Sequence, residues 1–257
     1  MTYYIFDSNP WILPVGLFVV LTLAVELPYQ VFRGWDKAPV SDEVWNVIQG
    51  AVLGLVAFVL GLSFSQAEAR YDVRRTLVVT EANSIGTTWL RSDQLPPAES
   101  RRFRSVLTDY TALRLHAYRE PTSLQIKHEL GPNNDAYQRQ LWSIASGALR
   151  RDPRNLGYSL LLQTLNETID LSSEQFVVLT SHVPTTIVTM TLGLVLLGAT
   201  LIGFGFARSK KNPRVLGLAY TLACAIVVNM MVDLDRPQTG FIRVDLTPLA
   251  SQLAAMR

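Results

Sequence analysis

The sequence predicts an all-α integral membrane protein with four transmembrane helices and a helical domain inserted between the second and the third. Hydrophobic residues make up 49% of the 257, and the charged residues, only 17%, avoid four long windows. A helix needs about 20 apolar residues to cross a hydrocarbon core about 30 Å thick. The four windows are close to that length and are the predicted spans: residues 11–27, 45–65, 183–207 and 215–232.

The first span is expected to be a retained transmembrane helix. Pro14 interrupts its start, and Glu26 is predicted to close it near the interface. No Lys or Arg precedes the span and no small-residue cleavage site follows it, so we do not expect a cleaved signal peptide. Glu26 fits either a plain interfacial charge or an ionisable residue at a subunit contact or ion relay.

The second span is predicted to continue into a charged helix without a break. No Pro lies between Val40 and Pro96, so one long helix is expected to leave the bilayer and enter the soluble domain. Small residues recur along it at helical spacing: Gly50, Gly54, Ala57 and Gly61. Such a stripe lets another backbone approach closely, which suits plain helix packing and pore lining equally well. Phe58 and Leu62 lie on the adjoining face.

The long segment between the second and third spans is predicted to be helical. Apolar residues at three- and four-residue spacing indicate one helix after Pro96-Pro97, a second after Gly131-Pro132, and a third that runs from Pro153 to Pro184. No alternating apolar and polar run of strand length occurs here. The predicted organisation is a first transmembrane pair in 1–65, a soluble stalk domain in 66–182, a second transmembrane pair in 183–235 and a tail in 236–257.

Composition and motifs argue against several function classes. The net charge is only +2 and no run of five like charges occurs, so no nucleic-acid partner is expected. Cys224 is the single cysteine, which excludes an intrachain disulfide. The three histidines lack metal-ligand spacing, and phosphate loops and paired nucleophile and base motifs are missing. The sequence therefore predicts no enzyme and no organic cofactor.

The end of the second span resembles the bestrophin family of pentameric ion channels, in which the corresponding helix lines a narrow hydrophobic neck. Phe58-Val59-Leu60-Gly61 matches the neck sequence of animal bestrophins, and Arg70 follows at the family's spacing. Other residues match positions of bacterial members: Ala67, Arg75, Leu77 and Asn83. The chain departs from the family pattern at Ser65, Glu68, Tyr71 and Asp72.

A second resemblance follows the fourth span. Leu234-Asp235-Arg236-Pro237 and Asp245-Leu246-Thr247-Pro248-Leu249 are similar to two segments of bacterial bestrophins. Together with Arg70-Tyr71-Asp72 and Glu81-Ala82-Asn83-Ser84-Ile85-Gly86, they look like the bacterial family usually labelled bestrophin-like. The calcium-binding acidic cluster of animal bestrophins is not reproduced, so the resemblance does not extend to calcium gating.

The resemblance implies a homo-oligomeric ring, a pentamer, with the second spans around its axis. Gly54, Phe58 and Leu62 would form the neck, and anions or other monovalent ions would pass through it. The implied partners are inorganic ions, membrane lipid and other copies of the chain. The implied location is the bacterial inner membrane.

Two polar sets are candidate sites, each with a plainer alternative. The first is a junction network where the span leaves the bilayer: Arg70, Asp72, Arg75 and Asn83. It would tie the stalk helix to a neighbour, or else be a solvated helix face with ion pairs. The second is Asp233 and Asp235, which could bind a cation or form a salt bridge with Arg236.

Two arguments about membrane orientation conflict. Basic residues crowd the short loop between the last two spans, at Arg208, Lys210, Lys211 and Arg214, and the positive-inside rule then places the large domain outside. The resemblance places that domain and both termini in the cytoplasm, with Arg70, Arg74, Arg75, Arg236 and Arg243 as the inside charges. We adopt the cytoplasmic assignment on the resemblance.

A competing function stays open beside the channel. The soluble part is close to half of the chain and no clear ring of ion-binding residues is visible, which also fits a non-conducting membrane scaffold or signalling protein whose stalk binds a partner. A closed ring with a continuous axial path would favour the channel. A dimer or a plugged axis would favour the scaffold.

Overall fold

The computed structural model describes residues 11–34, 41–119, 124–180, 183–209, 214–236 and 240–257. Within these ranges the chain forms α-helices, one short 3-10 turn and no strand. The helices are α1 (Ile12–Phe32), α2 (Asp42–Arg91), α3 (Pro97–Arg119), α4 (Leu124–Arg151), α5 (Leu156–Thr180), α6 (Thr185–Ser209), α7 (Arg214–Asp235) and α8 (Thr247–Ala255). Four of them, α1, α2, α6 and α7, are long and apolar enough to cross a membrane. The predicted all-α, four-span fold class is confirmed.

Helix α2 is a single unbroken helix of 50 residues. At 1.5 Å per residue it is about 75 Å long, more than twice the thickness of a hydrocarbon core. Asp42 and Glu43 in its first turn complement the helix dipole, and the next Pro comes only after the 3-10 turn Ser92–Gln94. The prediction of one long helix is confirmed.

Helix α1 extends beyond residue 27, the predicted end of the first span, and where the span itself ends within α1 stays a prediction. Helix α1 passes Glu26 and continues to Phe32, with Pro28 inside it. The Glu26 carboxylate lies 3.5 Å from the Arg214 guanidinium at the start of α7. Glu26 therefore lies inside the helix with a charged partner in the same unit.

The chain divides into two compact units. Unit 1 comprises Met1–Arg70 and His182–Phe241, and unit 2 comprises Tyr71–Ser181 and Ile242–Arg257. The core of unit 1 draws on α1, α6, α7 and the first part of α2: Leu21, Val25, Val56, Leu60, Val195, Ala199, Ile202, Cys224 and Val228. Cys224 is buried there and behaves as a small apolar residue.

Close approach and hydroxyl pairs hold the helices of unit 1 together. A side-chain carbon at Gly203 of α6 would overlap the backbone carbonyl of Val25 in α1, so only glycine permits this crossing. The hydroxyls of Ser63 and Thr191 lie 3.0 Å apart and link α2 to α6. In a bilayer the lipid tails are as apolar as the helix surfaces, so the hydrophobic effect does not drive helices together. Close packing and hydrogen bonds such as these stabilise the helix pairs instead.

Unit 2 has a larger core, built from α3, α4, α5, α8 and the second part of α2. The predicted apolar stripe on α3 is confirmed at Phe103, Val106, Leu107 and Tyr110, all of which are buried. Leu113 and Ala117 are only half-buried. Towards the end of α3 the buried face instead includes Arg114, Leu115 and Tyr118.

Two helix boundaries in unit 2 differ from the predictions. Helix α4 begins at Leu124 and runs through Pro132, whereas the sequence predicted a start after that proline. An interior Pro costs a helix about 3 kcal/mol, and packing of the following turns against α5 offsets that cost; Gln138, for example, donates to Ser172. The third predicted run ends as α5 at Thr180, and α6 begins separately at Thr185. Ser181 and His182 lie outside the described residues.

Candidate functional site

One apolar face of α2 is turned away from the rest of unit 1. Phe58 is 62% exposed and Leu62 is 49% exposed, whereas Val56 is 2% and Leu60 is 9% exposed. At 100° per residue, Phe58 points about 160° away from both buried residues. The side chain with the largest apolar surface in this part of α2 therefore lies opposite the packed face.

The glycine stripe belongs to the same open face. A side-chain carbon added at Gly50, Gly54 or Gly61 would meet no other atom within 4 Å. Gly198 and Gly203 on α6 differ, because a carbon at either position would collide with a neighbouring helix. The small residues of α2 are thus not needed for packing within one protomer.

The predicted neck residues form a continuous line on this face. Gly54, Phe58 and Leu62 follow one another at four-residue spacing, and each step rotates about 40° around the helix. All three are exposed in the protomer. On the far side of α2, the Ser63 hydroxyl pairs with Thr191, which fixes the rotation of the span within unit 1.

The predicted junction residues do not gather into a buried cluster within one protomer. Arg70 is half-buried, and Asp72, Arg75 and Asn83 are exposed. Their role at a contact with a neighbouring subunit stays a prediction.

Another polar group on α2 is buried instead. The Glu81 and Arg114 side chains are only 1% and 10% exposed. Arg114 donates from Nε to Glu81 Oε1 at 2.6 Å and from Nη2 to Oε2 at 3.3 Å. The Tyr118 hydroxyl donates to Oε2 at 2.7 Å. Both carboxylate oxygens of Glu81 are therefore held by side chains of α3, in the two-point geometry that arginine favours.

The electrostatics of this network favour a charged Arg114 and a neutral Tyr118. Burial alone would lower the pKa of Arg114, but the adjacent Glu81 carboxylate outweighs it, so the pKa is raised. Burial and the Glu81 charge both raise the pKa of Tyr118. Burial is also the main reason why the pKa of Tyr110 is raised. Arg114 stays charged and both tyrosines stay neutral at physiological pH.

A ladder of hydroxyls continues along α2 beyond Glu81. Ser84 Oγ and Thr88 Oγ1 lie 2.8 and 3.2 Å from Thr168 Oγ1 of α5. Thr168 in turn donates to the Thr164 carbonyl at 2.9 Å. All of these hydroxyls are buried. Polar contacts with α3 and α5 therefore hold the second part of α2 inside unit 2.

Sequence reasoning missed the Glu81 network, although a signal for it exists. Glu81 interrupts an apolar stripe that includes Val78, Ala82 and Ile85, all buried. An acid inside such a stripe needs a buried partner. Arg114 sits between Tyr110 and Tyr118 at four-residue spacing in the same way.

The predicted cation pair, Asp233 and Asp235, is buried at the end of α7. Asp233 Oδ1 accepts the Phe241 N–H at 2.9 Å, and Asp235 Oδ2 accepts the Val183 N–H at 3.1 Å. The two carboxylates thus fasten the segments that follow α7 and precede α6. No group of three or more His, Cys, Asp or Glu that could hold a metal occurs in the described ranges. Cation binding at the pair stays a prediction.

The chain matches known proteins in sequence profile and in fold. A profile of the Bestrophin-like domain matches residues 16–249. A variant of a bacterial bestrophin homolog from Klebsiella pneumoniae is 16% identical, covers 97% of this chain and 96% of its own, and gives a TM-score of 0.74. A zinc-phased structure of a bestrophin homolog from that organism is 16% identical, with 95% and 94% coverage and a TM-score of 0.68. No curated sequence matches.

At such low identity the solved structures establish a shared fold only. The profile, however, covers most of the chain, including nearly all of the first span, the other three spans and most of unit 2. This multi-pass membrane protein therefore belongs to the Bestrophin-like family.

Proposed function

We propose that the protein is an oligomeric membrane ion channel with a hydrophobic neck formed by α2. Bestrophins are ion channels, so membership of the Bestrophin-like family supports a membrane channel. The observation that carries the neck proposal is the open face of α2, on which Gly54 meets no neighbouring atom and Phe58 and Leu62 are exposed in the protomer.

A ring of copies around one axis gives this face a function. Each copy would contribute one α2, with Gly54 letting the helices approach and Phe58 and Leu62 narrowing the path. We take the ring to be a pentamer, by resemblance to bestrophins. A narrow apolar tube excludes water, and an ion cannot cross it without giving up hydration, so a neck of this kind gates by dewetting.

Selectivity for anions or other monovalent ions would depend on the charges beyond the neck. Three arginines follow the neck along α2, at Arg70, Arg74 and Arg75, but Arg74 is buried within unit 2. The two remaining arginines, Arg70 and Arg75, equal in number the two exposed carboxylates, Glu68 and Asp72. Because these charges balance, flux should be measured with halide and with potassium separately.

Phe58→Ala is the direct test of the neck. The substitution should raise ion flux several-fold in liposomes, because it removes an aromatic ring and so widens and wets the constriction. The matched control is Leu222→Ala, which truncates another exposed apolar side chain, on α7, at 50% exposure against 62% for Phe58, and should leave flux unchanged. Wild-type and Phe58→Ala liposomes that stay equally tight to halide and to potassium would refute the channel.

Particle images of the purified protein test the assembly independently. A closed ring with a continuous axial path supports the proposal. A dimer, or an axis filled by lipid and side chains along its whole length, would instead favour the non-conducting scaffold.

A further inference from the structure

A groove of unit 2 opens between α4 and α5, outside the hydrophobic core. Its volume is about 510 Å³, and its lining includes Arg139, Trp142, Ser146 and Arg150 of α4 and Ile169 of α5. Trp142 is 39% exposed, so the protomer does not fully pack its side chain. Tryptophan and arginine are the residue types that most often dominate the binding energy of protein interfaces. The groove therefore has the composition of a docking surface.

The groove is also positively charged. Among the described residues, Arg139 and Arg150 form no ion pair, and Arg150 donates from Nη1 only to the Ser146 hydroxyl, at 3.4 Å. At 100° per residue, Ser146 and Arg150 both point within about 20° of Arg139 along α4. Asp135 is the acid among the described lining residues, against two arginines. The groove thus presents a row of two cations that lack a carboxylate partner within the protomer.

Helix α5 carries charges of the opposite sign on another side. Its charged residues are all acidic, and all three are exposed: Glu167, Asp170 and Glu174, here called the acidic row. Asp170 accepts the Asn166 amide at 2.7 Å, whereas Glu167 and Glu174 have no partner among the described residues. These two glutamates point within about 20° of each other and about 140 to 160° away from Ile169, which lines the groove. One protomer therefore cannot bring its acidic row to its own groove.

We propose that the groove of one copy docks the acidic row of the next copy. This inference rests on the proposed oligomeric channel and names the surfaces through which its copies of unit 2 associate. A contact between two different patches is head-to-tail, and repeated contacts of this kind can close into a ring. A two-fold contact of the groove with itself would instead bring its arginines together, and repulsion between like charges disfavours that arrangement.

Trp142 and the charges have different roles in this contact. The Trp142 side chain becomes buried between copies and supplies apolar contact area. An exposed ion pair contributes little by itself, but like charges placed opposite each other across an interface are strongly unfavourable. Reversing charges is therefore a more sensitive probe of the contact than removing them.

Charge reversal with rescue tests the pairing. Arg139→Glu/Arg150→Glu should lower the fraction of assembled oligomer in detergent by about tenfold or more, because the reversed groove repels the acidic row. Glu167→Arg/Glu174→Arg should have the same effect. The variant that combines all four changes restores opposite charges across the contact, so its assembled fraction should return towards wild type. Size exclusion with light scattering measures the assembled fraction.

Arg101→Glu/Arg102→Glu is the matched control. It makes the same charge change at two exposed positions of α3 and should leave assembly unchanged. Circular dichroism of each variant should show the helicity of the wild type. If both double variants lose helicity, the four-change variant decides: recovery of assembly supports the contact, and failure to recover overturns it.

Three results distinguish this contact from other possibilities. Assembly at the wild-type level in both double variants would overturn the proposal and leave the groove to a different protein. Loss of assembly that the four-change variant does not rescue would overturn it as well, because the groove and the acidic row would then not face each other. An assembled wild type whose Phe58→Ala liposomes stay tight would overturn conduction through the neck and leave this contact intact.

Discussion

At the residue scale, the burial of a charged side chain determines how much it contributes to stability. Glu81 and Arg114 are buried together, whereas Arg101 and Asp109 on α3 are exposed. Removing one partner of a buried pair typically costs about 3 to 5 kcal/mol, whereas an exposed pair contributes at most about 1 kcal/mol. Charged residues of one domain therefore differ several-fold in the free energy of unfolding that is lost when they are replaced.

Tyr118→Phe should reduce the loss of folding stability that occurs as the pH rises into the alkaline range. Burial and Glu81 raise the pKa of Tyr118 above its ordinary value near 10. Its contribution to stability is complete below about pH 10 and is lost as the pH rises above that value, because the unfolded chain ionises first. The wild type should lose up to about 1.4 kcal/mol more per pH unit there than the variant.

Thermal unfolding of both proteins between pH 8 and pH 11 would measure this difference, with the pH 8 values as the internal reference. Parallel curves for the two proteins would contradict the assignment of a buried neutral Tyr118.

Arg70→Ala should reduce the yield of assembled oligomer in detergent. Arg70 is half-buried in the protomer and lies just beyond the open face of α2. Burial between copies would make its loss cost about 3 to 5 kcal/mol. Arg101→Ala, at an exposed position on α3, is the control and should have little effect. Equal size-exclusion profiles and melting temperatures for the two variants would indicate that Arg70 is an ordinary surface charge.

At the scale of elements, glycine has opposite roles on α2 and on α6. Gly203 lets the backbone of α6 approach that of α1 at Val25, and Gly198 lies against Tyr220, Leu53 and Val56. Gly50, Gly54 and Gly61 of α2 face open space in the protomer. Glycine therefore marks an intrachain contact at Gly198 and Gly203 of α6 and an unpartnered surface in the first part of α2.

Gly203→Ala should destabilise unit 1, because the new methyl group overlaps the Val25 carbonyl and forces α1 and α6 apart. Overpacking of this kind typically costs about 1 to 3 kcal/mol. Gly193→Ala on the same helix is the matched control: nothing lies within 4 Å of the added carbon, and alanine favours the helix by about 1 kcal/mol. Melting temperatures in detergent should fall for the first variant and hold or rise for the second. The same change in both would rule out a tight crossing at Gly203.

At the scale of the whole molecule, orientation in the membrane is the open property with the clearest test. Arg208 and Arg214 flank the loop between α6 and α7, which favours a cytoplasmic loop. The family resemblance favours a cytoplasmic unit 2. Because α6 is a single span, its two ends lie on opposite sides of the bilayer, so the two assignments exclude each other.

Cysteine labelling in intact cells would decide between them, since Cys224 is the only native cysteine and is replaced first by serine. With unit 2 in the cytoplasm, a membrane-impermeant thiol reagent should label Arg214→Cys in intact cells and Arg101→Cys only after permeabilisation. Both positions are exposed in the protomer. The reverse pattern would place unit 2 outside and support the charge rule.

The four spans, the long helix α2 and the helical character of unit 2 could all be predicted from the amino-acid sequence. These depend on local properties: the length of apolar windows, the absence of proline from α2, and the spacing of apolar residues. Where packing overrode a local signal, sequence reasoning failed. Pro132 lies inside α4, because contacts with α5 offset its local cost.

The partners of side chains were decided only by the tertiary structure. Glu81, Arg114 and Tyr118 lie on different helices, and no spacing within one helix could reveal that their oxygen and nitrogen atoms meet. The open face of α2 could likewise be recognised only once its packed face was known. A stripe of small residues has the same spacing whether it packs within the protomer or faces outward. Periodicity in a sequence identifies a helix face, whereas the neighbouring helices determine what that face contacts.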